Sequence, residues 1–156
     1  MATNTILQKL DGGSDFGVST SNRRQTEIFL SKEAIAVGDW VAFDFAATDD
    51  GDVTLGVFVA DGNSSPVRTP MGVALSAATA AGEQVTVCIS GVCDAKVSDN
   101  GGAGNAIGTL LQITNTAGVA DLAAAGSAQP VCGILAETIA AAAGTVTARV
   151  VVRKSF

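Results

Sequence analysis

Residues 36–43 read AVGDWVAF, and residues 106–113 read AIGTLLQI. Gly38 matches Gly108, with apolar residues at equivalent places around each. The likeness continues: GVALSAATAAGEQVTV (72–87) is echoed by GILAETIAAAAGTVTA (133–148), pairing Gly72 with Gly133, Val85 with Val146 and Thr86 with Thr147. Only the second glycine slips by one place, Gly82 against Gly144. Each unit predicts a strand opener, a hairpin, a Gly-apolar-apolar step, a small-residue turn and an alternating strand. The expected fold is all-β, with two tandem pseudo-repeats at about 34–97 and 104–153 forming one sandwich- or barrel-like body.

The strand signals are strongest where apolar residues recur every second position. DWVAFDF (39–45) sets Val41, Phe43 and Phe45 on one face, with Trp40, Ala42 and Asp44 on the other. VTLGVFV (53–59) follows Asp50-Gly51, a pair suited to a tight turn, so 39–59 reads as a hairpin. QTEIFL (25–30), MGVAL (71–75), 85–90 and 145–153 complete the expected strands, and SDNGGAGN (98–105) reads as a connector between the units. The offset between matched positions falls from 70 to 61 along the repeat, placing a loss of nine residues in the second unit's inner hairpin region. The segment 135–144 also has helix-forming composition. Its counterpart 74–83 does not, and the shared pattern favours a strand end followed by an extended turn in both.

Composition narrows the function. The 156 residues carry nine basic and fifteen acidic side chains, a net charge of −6, which argues against a nucleic-acid footprint. Histidine and tyrosine are absent, removing every mechanism that needs an imidazole. Cys88, Cys93 and Cys132 contain no CxxC spacing and read as small buried thiols of a reducing compartment, with a Cys88–Cys93 bridge left open. Asp49, Asp50 and Asp52 lack the downstream Glu of a calcium loop and read as a solvated hairpin tip. The glycines at 101, 102 and 104 are followed by no Lys-Ser/Thr pair. No catalytic residue, metal site or cofactor is expected, and the Ala-rich stretch 117–143 is interrupted by Asp121, Pro130 and Glu137. The chain is rich in Gly and Ala, with 18 and 27 respectively, so little apolar area is buried per residue and self-association is expected.

Residues 1–24 differ from the β-rich region 25–156. They are polar, without a sustained period, and hold only Ile6, Leu7, Leu10 and Phe16 as large apolar residues. Such an arm is expected to order against another surface, with Arg23 and Arg24 available to acidic partners.

The AVGD/AIGT openers, the hairpin after each, and the GVAL and VCGILAE segments running into a last alternating strand resemble the head decoration (capsid cement) proteins of tailed phages. The Gly-Ile-Leu-Ala segment at 133–136 is similar to the carboxy-terminal portion of the lambda-type members. The resemblance covers about residues 34–153. It implies a non-enzymatic, commonly trimeric subunit, made in the host cytoplasm and bound to the outer capsid surface. Its partner would be the major capsid protein, whose adjacent subunits it would bridge, with no nucleic-acid or membrane partner. Ile6, Leu7, Leu10, Phe16, Arg23 and Arg24 are the expected arm contacts. A tail- or fibre-associated β module is the alternative, followed by a small ligand-binding barrel.

Overall fold

The computed structural model describes residues 24–43, 55–63, 70–124 and 130–153. Nine strands organise them: β1 (Gln25–Ser31), β2 (Trp40–Phe43), β3 (Gly56–Val59), β4 (Pro70–Ala74), β5 (Gln84–Ser98), β6 (Leu110–Ile113), β7 (Ala120–Leu122), β8 (Val131–Leu135) and β9 (Thr145–Val152). The all-β expectation is met. The expected 39–59 hairpin is present as antiparallel β2 and β3, with Val41 opposite Val59 and Phe43 opposite Val57. Its Asp50-Gly51 tip, with Asp49 and Asp52, lies outside the described residues.

The pairings close two rings. In the first, β1 pairs with β3 in parallel, β3 with β2, β2 with β4, β4 with β5, and β5 returns to β1. In the second, β5 pairs with β7 in parallel, β7 with β6, β6 with β8, β8 with β9, and β9 returns to β5. The senses of the pairings match ring for ring, so the second half of β5 stands where β1 stands in the first ring. One strand finishes one ring and opens the next.

Backbone hydrogen bonds repeat along with the strands. Gly38 N donates to Ala74 O as Gly108 N donates to Leu135 O, at 2.9 and 2.8 Å. The mutual bonds of Ile35 with Ala78 recur between Asn105 and Ile139. Asp39 N bonds Ala36 O and Thr109 N bonds Ala106 O, each closing a turn whose third residue is a glycine at positive φ, Gly38 at 85° and Gly108 at 87°. Those are type II turns, where an L side chain is strained at that place. Gly72 and Gly133 repeat for a different reason. A Cβ on Gly72 would collide with the Cys88 carbonyl, and one on Gly133 would sit 3.0 Å from the Val151 carbonyl and 2.9 Å from the Trp40 ring.

The register also refines the sequence alignment. The offset is 70 at Val41/Leu111, 63 at Val59/Leu122 and 61 at Val73/Ile134, so most of the shortening lies within the inner hairpin. Against β4 and β8, however, Val87 corresponds to Val150, whereas the sequence alignment matches it to Ala148. The last strand has thus gained two residues. A two-residue shift preserves the face of every side chain, which is why the alternation still reads correctly.

Two cores follow. Phe29, Ile35, Val41, Val57, Met71, Val85, Val87 and Ile89 fill the first ring. The second cluster joins the inside of the second ring (Val97, Leu111, Ile113, Leu135, Val150, Val152) to the outer face of the first, through Trp40, Ala42, Val73 and Cys88. Trp40 and Ala42 therefore do lie opposite Val41, but that face is a seam and not solvent; both are fully buried. The segments after β4 and β8 are turns with an isolated bridge at Ala78 and Ile139, as the strand-end reading expects. The expected strand 85–90 runs on to Ser98, bending at Gly91, where φ is 100°.

Trp40→Ala removes the largest side chain of the seam and is expected to lower stability by about 3–5 kcal/mol in urea unfolding. Asp99, at the second ring's entry, accepts from Gly102 N at 3.0 Å and Gly144 N at 2.9 Å. These bonds, the Gly144 one first, hold its carboxyl below the ordinary aspartate value. The depressed folded-state value means its contribution is present above the unfolded value and fades as pH falls through the folded one. The urea-midpoint gap between the natural chain and Asp99→Asn is therefore expected to be widest near neutral pH and to narrow by about pH 3.

Candidate interaction surface

Ring closure determines what the body offers a partner. Strand pairing is used up within the rings over the described ladders, leaving side-chain faces as the contact surfaces. The first is on β1. QTEIFLS places Phe29 and Ser31 inward and Ile28 and Leu30 outward. Phe29 is held edge-on to Phe43, with ring centroids 5.6 Å apart. Outside it, Ile28, Leu30, Leu55 and Gln84 line a depression of about 260 Å³. Ile28 is 60% exposed and Leu55 50%, so this is apolar surface in water.

A second set comes from the repeat itself. Val37 and Ile107 occupy the second position of the two type II turns and are both exposed. The turn geometry lifts that side chain away from the strands, so the duplicated turn displays a branched apolar residue twice. The two turns differ in their support. Asp39 Oδ2 accepts from Ala36 N at 2.7 Å and Oδ1 accepts from Lys96 Nζ at 2.6 Å. Lys96 N also donates to Gly38 O, and Trp40 Nε1 donates to Lys96 O at 3.1 Å. The side chain of Thr109, the counterpart of Asp39, donates from Oγ1 back to Ala106 O within its own turn, at 2.6 Å. The first turn is thus clamped to the second ring, while Gly108 and its neighbours face solvent.

Of the residues expected to make arm contacts, Ile6, Leu7, Leu10, Phe16 and Arg23 lie outside the described residues. Arg24 is the first described residue, exposed, one place before β1. Its charge acts on the thiols of Cys88 and Cys93. The three cysteines are buried free thiols, as expected of small core residues. Cys132 donates to Leu111 O at 3.3 Å, and burial pushes its pKa up to about 12. Among the described residues no cluster of three His, Cys, Asp or Glu is placed to hold a metal, and no helix is long and apolar enough to cross a membrane. Sequence reading did not single out Ile28 or Leu30, and it set Leu55 on one strand face with Val53, Val57 and Val59, whereas Leu55 precedes β3 and is half exposed while Val57 is buried. The available signal was QTEIFL itself, where apolar residues stand on both faces of a strand and only one face can enter a single core.

No family model matches this chain, and no curated protein matches it. Among solved structures it is similar to the N base of the head fiber gp8.5 of bacteriophage phi29, with a TM-score of 0.51. The two share a fold. The superposition covers 85% of this chain and 96% of that one at 16% sequence identity.

Adjacent residues of β1 give a direct check on the surface. Ile28→Ala is expected to change stability by no more than about 0.5 kcal/mol. Phe29→Ala, one residue on and turned inward, is expected to cost about 3–5 kcal/mol in the same urea titration.

Proposed function

We propose that this protein is a structural, non-enzymatic component of a phage virion that binds the outer surface of the head and bridges adjacent major capsid subunits. The observation that carries the reading is the fold shared with a phage head-fiber base across nearly all of that chain. The repeat motifs and the composition point the same way. A body with two rigidly joined rings presents fixed apolar contacts, and the polar segment 1–24 supplies further ones through Ile6, Leu7, Leu10, Phe16, Arg23 and Arg24. As a homotrimer the protein would engage equivalent sites at once, and linked weak contacts raise overall binding by roughly 10²–10⁴-fold without any strong one. Net negative charge favours solubility and keeps the free protein off packaged DNA.

A fibre-associated role is the second reading, favoured by the same likeness, since that neighbour is the base of a fiber. Here the body would seat a more distal partner on the head instead of cementing the shell.

Mixing the full chain with expanded capsids, followed by gradient sedimentation, tests the proposal. The protein is expected to travel with the shells, and the variant lacking residues 1–24 to stay at the top while remaining folded by circular dichroism. Co-sedimentation with tails but not shells would favour the fibre or tail reading. Native mass measurement of the free protein is expected to give three copies.

A further inference from the structure

The chain already contains one joint between rings, and the strand register shows which residues stand at the same places elsewhere. In the seam, the Asp39-Trp40 corner of the first ring lies on Lys96 and Gly118 of the second. Asp39 Oδ1 accepts from Lys96 Nζ at 2.6 Å, and Trp40 Nε1 donates to Lys96 O at 3.1 Å. Trp40 N donates to Gly118 O, also at 3.1 Å. Beside that corner, Ala42, Val73 and Cys88 face the second ring and are fully buried.

Each of these positions has a counterpart that no described residue covers in the same way. Trp40 pairs with Val73 as Leu110 pairs with Ile134, and Val73 pairs with Cys88 as Ile134 pairs with Val151. The seam face of the first ring therefore recurs on the second as Leu110, Gln112, Ile134 and Val151. Leu110 is 45% exposed where Trp40 is 0%, and the other three are half-buried. On the receiving side, Ser31 pairs with Val57 as Val97 pairs with Ala120. Leu30 is thereby the counterpart of Lys96, and Leu55 that of Gly118. Both are exposed, as is Ile28 at the place of Asp94.

We propose that these two faces bind each other between copies of the chain. The Thr109-Leu110 corner of one molecule seats on Ile28, Leu30 and Leu55 of the next, continuing the ring-on-ring stacking of the seam. The virion reading is not needed for this contact, which belongs to the free protein. Continuity gives the choice of partner: a ring of this chain covers the face once already, and the first ring of another copy repeats the architecture of the ring that does so. The chemistry has also changed on both sides together. An ion pair, Asp39 with Lys96, becomes Thr109 with Leu30, so neither face would bury a charge without its partner. Size follows the same rule. The seam sets the large Trp40 beside Gly118, where a Cβ would come within 2.8 Å of Asp39 Oδ1. The free faces set the smaller Leu110 against the larger Leu55. Because the contact joins unlike patches, it passes from copy to copy; closure after three copies gives a trimer, and failure to close gives a fibre.

The seam also says what stays outside. Val37 remains 57% exposed beside it, so its counterpart Ile107 takes no part in the contact despite being 66% exposed.

Sedimentation velocity of the full chain over a concentration series, without capsids, tests the proposal. The natural chain is expected to assemble. Leu30→Glu and Leu110→Glu should each weaken assembly by about tenfold or more, with unchanged circular dichroism. Ile107→Ser should assemble like the natural chain. Mixing the two glutamate variants should restore a single contact, between the intact Leu110 face of one and the intact Leu30 face of the other. The result is a one-to-one complex and nothing larger, an outcome closed to a face that pairs with itself. Hydroxyl-radical footprinting of the natural chain gives an answer even if a variant folds poorly: on assembly Leu30 and Leu110 should be protected and Ile107 should not. A natural chain that stays monomeric, assembly indifferent to either glutamate, no complex on mixing, or protection of Ile107 in place of Leu110 would each overturn the proposal. None of these readouts involves capsid binding, so the contact and the virion reading stand or fall separately.

Discussion

β5 has to satisfy two rings at once, and most of the molecule's layout follows from that constraint. Its first half completes the hydrogen bonding of β1 and β4, and its second half that of β7 and β9. Serving both demands a change of direction without loss of pairing, and Gly91 supplies it with a backbone conformation closed to most side chains. The bend also turns the outward face of one ring toward the interior of the other. A strand that linked the rings flexibly would leave Cys88, Val73 and Ala42 exposed. The bent one buries them.

The seam is then consolidated by groups that no single ring needs. Trp40 reaches across from β2 and ends against Gly133, at a place where any side chain would displace it. Its indole N–H is satisfied by Lys96 O, so the bulk is buried without stranding a donor. Lys96 gives its backbone to Gly38 and its ammonium to Asp39, with the pair only partly screened from water. Around them the layers are thin: Ala42, Ala60, Ala95, Ala120 and Ala148 are all buried. Small residues let two curved sheets approach closely, and the one large ring fills the space they cannot.

Much of this was legible in the chain. Gly38/Gly108 and Gly72/Gly133 announced a repeated backbone, because one pair satisfies a turn that favours positive φ and the other a carbonyl too close for a Cβ. The alternation in β2 and β9 was equally plain. The second half of β5 was not: Cys93, Ala95 and Val97 do alternate with Asp94 and Lys96, but Ser90-Gly91 breaks the run, and a glycine there reads as a strand end when it is a bend within one strand. Lys96 is there for the seam, an arrangement that only the three-dimensional meeting of β2 and β5 reveals. The outward apolar face of β1 escaped for a related reason: periodicity tells which residues share a side, not whether that side is covered. The two-residue slip in β9 was invisible because an even shift leaves the pattern unchanged.

A strand held in common also says how such a protein is able to lengthen. Ordinary tandem modules are concatenated through a linker and can be separated again by cutting it. Here each additional ring would have to begin inside the last strand of the one before, by prolonging β9 past Val152 through another glycine bend. Growth of that kind adds four new strands for every ring and never a loose joint, so reach increases while stiffness is kept.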